Sequence, residues 1–320
     1  MRLGVTAILG LGLLGYACGG DDGATVTTAG TGGSATGTGG TGGTGGMGGC
    51  SPQPGVEPGP DWICVTDVEG QMIDESGSGV PDILMTVCGP GGCEPDTTDA
   101  SGTFNIEVGF PLFPPDWSLI PHSREAGKFV FYYPFVTGVE GPLIEMGSLR
   151  LIDYPAPSDM LVAKSDDMGA PAQTVTNGDV TLDIPAGVRV NLDVEDVLLG
   201  DDGKNFYARK VDGAVQDEFV DPAIGAVALY ALAPFDAAFD LESDPGTLTK
   251  VPLTFANTTS LPADAAVQFY QQGSFVVGQL ATGVFHPVAT GAVSSDGTTI
   301  TMDAGEGIEF LTWVAIVEAP

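Results

Sequence analysis

The chain has 320 residues, 42 of them acidic and 10 basic, for a formal net charge of −32. A surface this acidic repels nucleic-acid phosphates, which basic proteins attract by releasing counterions, so DNA and RNA are excluded as partners. The 48 glycines and 24 prolines suit short strands joined by turns rather than long helices.

Arg2 precedes an apolar run from Leu3 to Leu14, which ends in Gly15-Tyr16-Ala17-Cys18. A positive residue, a short apolar core and a small residue at the end are the layout of an export signal. The run is about half of the ~20 residues that a membrane-spanning helix needs, so residues 1–17 are expected to leave no span in the mature chain. With a cysteine at the cleavage point, the segment resembles a bacterial lipoprotein signal. The resemblance implies cleavage before Cys18 and a diacylglycerol on its thiol. Gly19, in place of Asp, implies the outer membrane rather than the inner one. Two acyl chains give stable anchoring where one is marginal. Ordinary secretion, with Cys18 left as a thiol, is the alternative.

Residues 18–59 are expected to be a disordered tether rich in Gly, Thr and Pro. Gly19 to Gly49 holds 15 glycines in 31 positions, too little apolar surface to offset the entropy of ordering. A coil of that length spans roughly 30 Å. Beyond Cys18 four cysteines remain, and an even number in an exported protein reads as disulfides. Cys88-Gly89-Pro90-Gly91-Gly92-Cys93 is a tight turn that could close on itself. Cys50 would then pair with Cys64 and pin the tether's end to the first strand. Two other connectivities remain open.

Residues 60–164 read as a first domain. Trp62 to Val65, Ile83 to Cys88, Phe129 to Tyr133 and Leu149 to Ile152 have strand composition. Phe104, Ile106 and Val108 alternate with Asn105 and Glu107, the period of a half-buried strand. Turn residues at Glu75 to Gly79, Gly89 to Gly92 and Ala100 to Gly102 separate these runs. The pattern predicts a small antiparallel sandwich. Val68-x-Gly70-x-x-x-Asp74, Gly79-Val80-Pro81-Asp82-Ile83 and Thr98-Asp99-Ala100-Ser101-Gly102-Thr103-Phe104-x-Ile106 resemble the carboxypeptidase regulatory-like, or transthyretin-like, β-sandwich. That resemblance implies a spacer or accessory module without catalytic residues. Asp99 is expected to hydrogen-bond its own turn, Gly102 to take positive φ and Phe104 to point inward. Phe110 to Arg124, with four prolines, reads as a long insertion. Its aromatics, Phe110, Phe113 and Trp117, are a candidate binding platform.

Residues 165–320 read as a second, larger β-sandwich. Val180 to Ile184 alternates. Val188, Val190 and Leu192 follow a Pro185-Ala186-Gly187 turn. Val227 to Leu232, Leu253 to Phe255, Val267 to Tyr270, Thr299 to Met302 and Ile308 to Val317 continue the pattern. Asp296-Gly297 marks a hairpin. Ile184-Pro185-Ala186-Gly187 is similar to a motif of extracellular β domains of the ankyrin and netrin-receptor type. Trp313 is expected in the core. The fold class expected overall is all-β.

Chemistry is sparse. The two histidines, His122 and His286, fall in different expected domains, and no nucleophile elbow, zinc motif or phosphate-binding loop is present. Asp201-Asp202-Gly203-Lys204-Asn205 reads as an acidic turn, because a calcium loop needs a terminal Glu. No catalytic, metal or cofactor residue is assigned, and no cofactor is expected. The leading expectation is a non-enzymatic protein of the outer membrane or cell surface, anchored through lipid on Cys18, with a structural or adhesive role. One alternative is a glycan-binding lipoprotein that stacks sugars on Trp117, Tyr132 and Tyr133, which requires those rings to be exposed. The other is a hydrolase in the C-terminal domain, marked by converging carboxylates or a site centred on His286.

Overall fold

A computed structural model describes residues 50, 62–89, 92–112, 116–135, 142–161, 170–275 and 280–319. The segment expected as an export signal, Cys18 and the 18–59 stretch other than Cys50 lie outside them, as does Phe113. The described chain is all-β. The one α-helix among the described residues, α1 (Val194–Leu198), has five residues.

Four sheets form. In the N-terminal half, β1 (Ile63–Ile73) lies between β4 (Thr103–Leu112), antiparallel, and β7 (Leu143–Arg150), parallel. A second sheet has the order β3 (Gly92–Thr97), β2 (Leu84–Gly89), β5 (Ser118–His122), β6 (Tyr133–Pro134). The pleat sends successive side chains to opposite faces, and in β4 Phe104, Ile106 and Val108 are buried while Asn105 and Glu107 are exposed. The two sheets meet across Val68, Phe104, Ile106, Met85, Val87 and Leu119.

The turns follow from local chemistry. Asp99 Oδ1 accepts from the N–H groups of Ser101 (2.8 Å) and Thr103 (2.9 Å). Gly102 has φ +81°, and a methyl there would lie 2.7 Å from Val80 N. Asp74-Glu75-Ser76-Gly77-Ser78 builds the same turn, Asp74 Oδ1 accepting from the N–H groups of Ser76 and Ser78. Cys88 and Cys93 face each other in the β2–β3 ladder and are disulfide-bonded, and Cys50 is bonded to Cys64. The Phe110 to Arg124 stretch departs from the expected insertion, because β5 lies within it and forms the middle of a sheet. β6 pairs only with Ser118 and Leu119, so Pro121 falls where β5 has a single neighbour and a missing N–H is tolerated.

In the C-terminal half a nine-stranded antiparallel sheet runs β11 (Tyr207–Lys210), β12 (Ala226–Ala233), β19 (Val314–Glu318), β16 (Ala266–Gln272), β17 (Phe285–Val293), β18 (Thr299–Met302), β15 (Leu253–Ala256), β9 (Val180–Ile184), β8 (Gln173–Asn177). Its two ends approach each other. Buried Asn177 bridges them, accepting from Ala208 N–H (3.2 Å) and donating to Ala156 O (2.9 Å). A three-stranded sheet, β10 (Val188–Asn191), β13 (Ala238–Leu241) and β14 (Asp244–Leu248), packs Val190 and Phe239 against Leu182, Phe255 and Ile316. Ile308 to Trp313, expected as strand, makes isolated bridges before β19 begins. The Asp296-Gly297 turn joins β17 to β18, with Gly297 at φ +75°.

The described residues form one compact unit, and the expected boundary between residues 164 and 165 lies in a stretch outside them. The core of the N-terminal sandwich takes Val211, Phe219, Phe235 and Trp313 from beyond that point. No described helix is long and apolar enough to cross a membrane.

Candidate functional site

The seam between the halves is filled by Phe129 to Phe135. Every side chain of this segment except Pro134 is buried. Phe129 to Tyr133 was expected as a strand, but among the described residues of this segment only Tyr133 and Pro134 pair as one. The backbone instead bonds side chains of the C-terminal half. Trp313 Nε1 donates to Val130 O (2.6 Å), and buried Gln272 donates to Tyr132 O (3.0 Å). Phe131 and Phe219 pack on the Trp313 ring, with centroids 5.0 and 4.7 Å away. Burial of large aromatics is a dominant favourable term at such contacts.

This placement overturns the aromatic platform. Trp117, Tyr132 and Tyr133 are 2%, 3% and 5% exposed. A ring that stacks on a sugar must offer a face to solvent, and these faces meet protein. Trp117 lies on Gly89 and Phe110. Tyr132 packs edge-on against Phe235, and Tyr133 donates to Arg150 O. Apolar side chains together with prolines in sequence read equally well as a platform or as core, and core won.

Titratable groups converge beside the seam, at the turn after β5 and the start of α1. Arg124, 6% exposed, is the centre. Its Nη1 donates to Asp193 Oδ2 (2.7 Å) and Glu195 Oε2 (2.5 Å), its Nη2 to Phe235 O (3.0 Å), and its Nε lies 3.6 Å from Asp196 Oδ2. Asp193 caps α1 through Val194 N–H, so the cap and the arginine share one carboxylate. Buried Asp236 lies behind, accepting from the Tyr132 hydroxyl. His122 is on the rim, its Nδ1 bonded to Glu195 and its Nε2 2.9 Å from Thr86 Oγ1. Burial pushes Asp196 up to about 7, and the neighbouring carboxylates add to it against Arg124. Burial likewise raises Asp236 to about 6. For Glu195 burial works upward, but the His122 hydrogen bond and the Arg124 charge overcome it and hold the group at about 2. Burial works to lower the pKa of the Arg124 side chain, but the four carboxyls around it overcome that and raise it.

Thr86, His122 and Glu195 have the connectivity of a hydroxyl–imidazole–carboxylate relay. A relay for acyl transfer also needs donors aimed at the developing oxyanion. Both edges of β2 are taken by β3 and β5, which leaves its N–H groups in the ladders. The converging carboxylates that would mark a hydrolase are therefore present, but Arg124 fills their centre. Among the described residues no group of His, Cys, Asp and Glu is arranged to hold a metal ion. Among the described residues His286 makes no ion pair, and its Nε2 has no hydrogen-bond partner. It pairs across the ladder with Gln271, which lines a cavity of about 120 Å³ together with Lys250, Val288, Glu309 and Phe310. Asp201 to Asn205 is an acidic turn, with Lys204 bonded to Asp201.

Sequence reasoning passed over Arg124 and its partners. Arginine and lysine number only 10 in the chain, so a cation inside an apolar and proline-rich stretch was the available signal.

No family model and no curated protein matches the chain. Among solved structures it is similar to the TIE protein of Bacillus anthracis, at 12% identity and a TM-score of 0.23, over 81% of this chain and 49% of that one. It is similar to a candidate carbohydrate-binding protein of Bacteroides uniformis at 9% identity and a TM-score of 0.18, over 79% and 98%. It is similar to the RrgB pilus protein of Streptococcus pneumoniae at 11% identity and a TM-score of 0.21, over 80% and 62%. The chain spans about half the length of the first of these. Likeness at this level carries no argument about activity.

Proposed function

We propose that this chain is a non-enzymatic, lipid-anchored protein of the cell surface that displays a β body on a glycine-rich tether, for a structural or adhesive role. The observation that carries this reading is the Cys50–Cys64 disulfide. Cys50 directly follows the glycine-rich stretch, so the bond ties the end of that stretch to β1. Two disulfides also fit an exported, oxidising setting. The turn at Asp99 to Phe104 has the geometry that the carboxypeptidase regulatory-like resemblance implies, and that family serves as spacer. Where carboxyls converge, an arginine occupies the place a substrate would need. The membrane partner is reached through lipid on Cys18, and nucleic acid is not a partner. The glycan alternative has lost the three rings it rested on.

The test is protease shaving of intact cells that express the chain or its Cys18→Ala variant. The expected result is a membrane-bound chain clipped from outside, with the variant released in soluble form. Identical behaviour of the two would overturn the anchored reading.

A further inference from the structure

The α1 helix is inside out. Glu195 and Asp196 face the body, while Val194, Val197 and Leu198 are 62%, 58% and 81% exposed. A helix of five residues is not stable by itself, and packing of an apolar face is the usual support. Here the hold on the N-terminal half is ionic. It consists of Arg124 on Asp193 and Glu195, with Asp196 3.6 Å from the guanidinium and His122 hydrogen-bonded to Glu195.

The charges do not balance. Asp193, Glu195 and Asp196 from the α1 segment and Asp236 from the turn after β12 face one guanidinium. The other titratable groups packed here are His122 on β5 and the hydroxyls of Tyr132 and Tyr154. Tyr132 donates to Asp236, and Tyr154 stacks on Tyr207. The nearby cations Lys204, Arg150 and Arg209 are engaged with Asp201, Glu218 and Glu75. With every carboxyl ionised, a buried cluster would carry excess negative charge in a poor solvent for it.

We propose that α1 is a proton-operated latch on the N-terminal half, closed while the buried Asp196 and Asp236 carboxyls retain a proton and loosened when that proton leaves. The direction follows from burial. Both carboxyls hold protons more tightly in the folded chain than when solvated, Asp196 up to about 7 and Asp236 up to about 6. Folded-state stability from these groups is therefore full below their solvated values and is lost as pH rises through the folded ones. The latch opens toward alkaline pH, opposite to the usual acid release of carboxylate pairs. This inference is independent of the anchored-display reading.

The experiment is hydrogen–deuterium exchange of the full chain at about pH 5 and about pH 9, with rates corrected for intrinsic exchange. It compares the wild type with Asp196→Asn. Protection of the 194–200 amides is expected to fall at least about tenfold in the wild type at the higher pH, and to fall clearly less in the variant, which keeps only the Asp236 carboxyl to titrate. Equal protection at both pH values in the wild type overturns the latch. So does a variant that keeps the wild-type pH dependence. Should Asp196→Asn fail to fold, the carboxyl carbon of Asp196 is titrated by NMR in the wild type. A midpoint near neutrality supports the latch, and one in the ordinary aspartate range overturns it.

Discussion

Replacing Arg124 by Met removes the guanidinium at the centre of the seam cluster and keeps much of its apolar stem. The guanidinium makes three hydrogen bonds within 3.0 Å and a further ionic contact to Asp196. Removing one partner of a buried ion pair costs about 3–5 kcal/mol, because the remaining charge is left without compensation. Part of that cost is escaped where the carboxyls can protonate. Asp196 and Asp236, raised to about 7 and about 6, are ionised at about pH 8 and neutral at about pH 5. The full loss is therefore expected at the higher pH. At the lower one it should fall to about 2 kcal/mol, the worth of the hydrogen bonds to Asp193, Glu195 and Phe235. Thermal unfolding followed by circular dichroism reads this directly. A loss of about 4 kcal/mol lowers Tm by about 10 °C in a body of this size. A loss under about 1 kcal/mol at pH 8, or one of equal size at both pH values, would refute the argument that this arginine compensates buried ionised carboxyls.

Three further outcomes are expected. Gly89→Ala should destabilise by about 1–3 kcal/mol through overpacking, because its methyl would lie 2.2 Å from Trp117 Cδ2; unchanged Tm would show that the indole can move aside. Cys50→Ser should cost about 3 kcal/mol in non-reducing denaturation, the cross-link entropy of a loop about this long with a separation of 14 residues, and the difference should vanish in reductant. Asn177→Ala should cost about 1–3 kcal/mol by leaving the buried Ala208 N–H unpaired, with faster exchange at β8 and β11; exchange at wild-type rates there would mean that the sheet ends do not depend on this bridge.

The features legible in the sequence are those that neighbouring residues decide among themselves. Asp99, Ser101 and Gly102 build their turn from groups within four positions. Phe104, Ile106 and Val108 reveal an inward face by period alone. Cys88 and Cys93 are near enough for the hairpin to bring them together. The seam is of another kind. Arg124 meets Asp193, Glu195 and Phe235 across 69, 71 and 111 residues of chain, and no local pattern announces that an arginine beside prolines will be buried. The same distance explains why Phe129 to Phe135 misleads. Its composition is that of a strand, yet most of its backbone bonds go to Trp313, Gln272 and other non-ladder partners, so the strand stops after two residues. Apolarity predicts that such a segment is buried, but what it is buried against depends on the far half of the chain. That also decides the reading of Trp117, Tyr132 and Tyr133. Each has an aromatic ring suited to stacking, and each is taken by the core, Trp117 against Gly89 and Phe110 within the N-terminal half and Tyr132 against Phe235 across the seam.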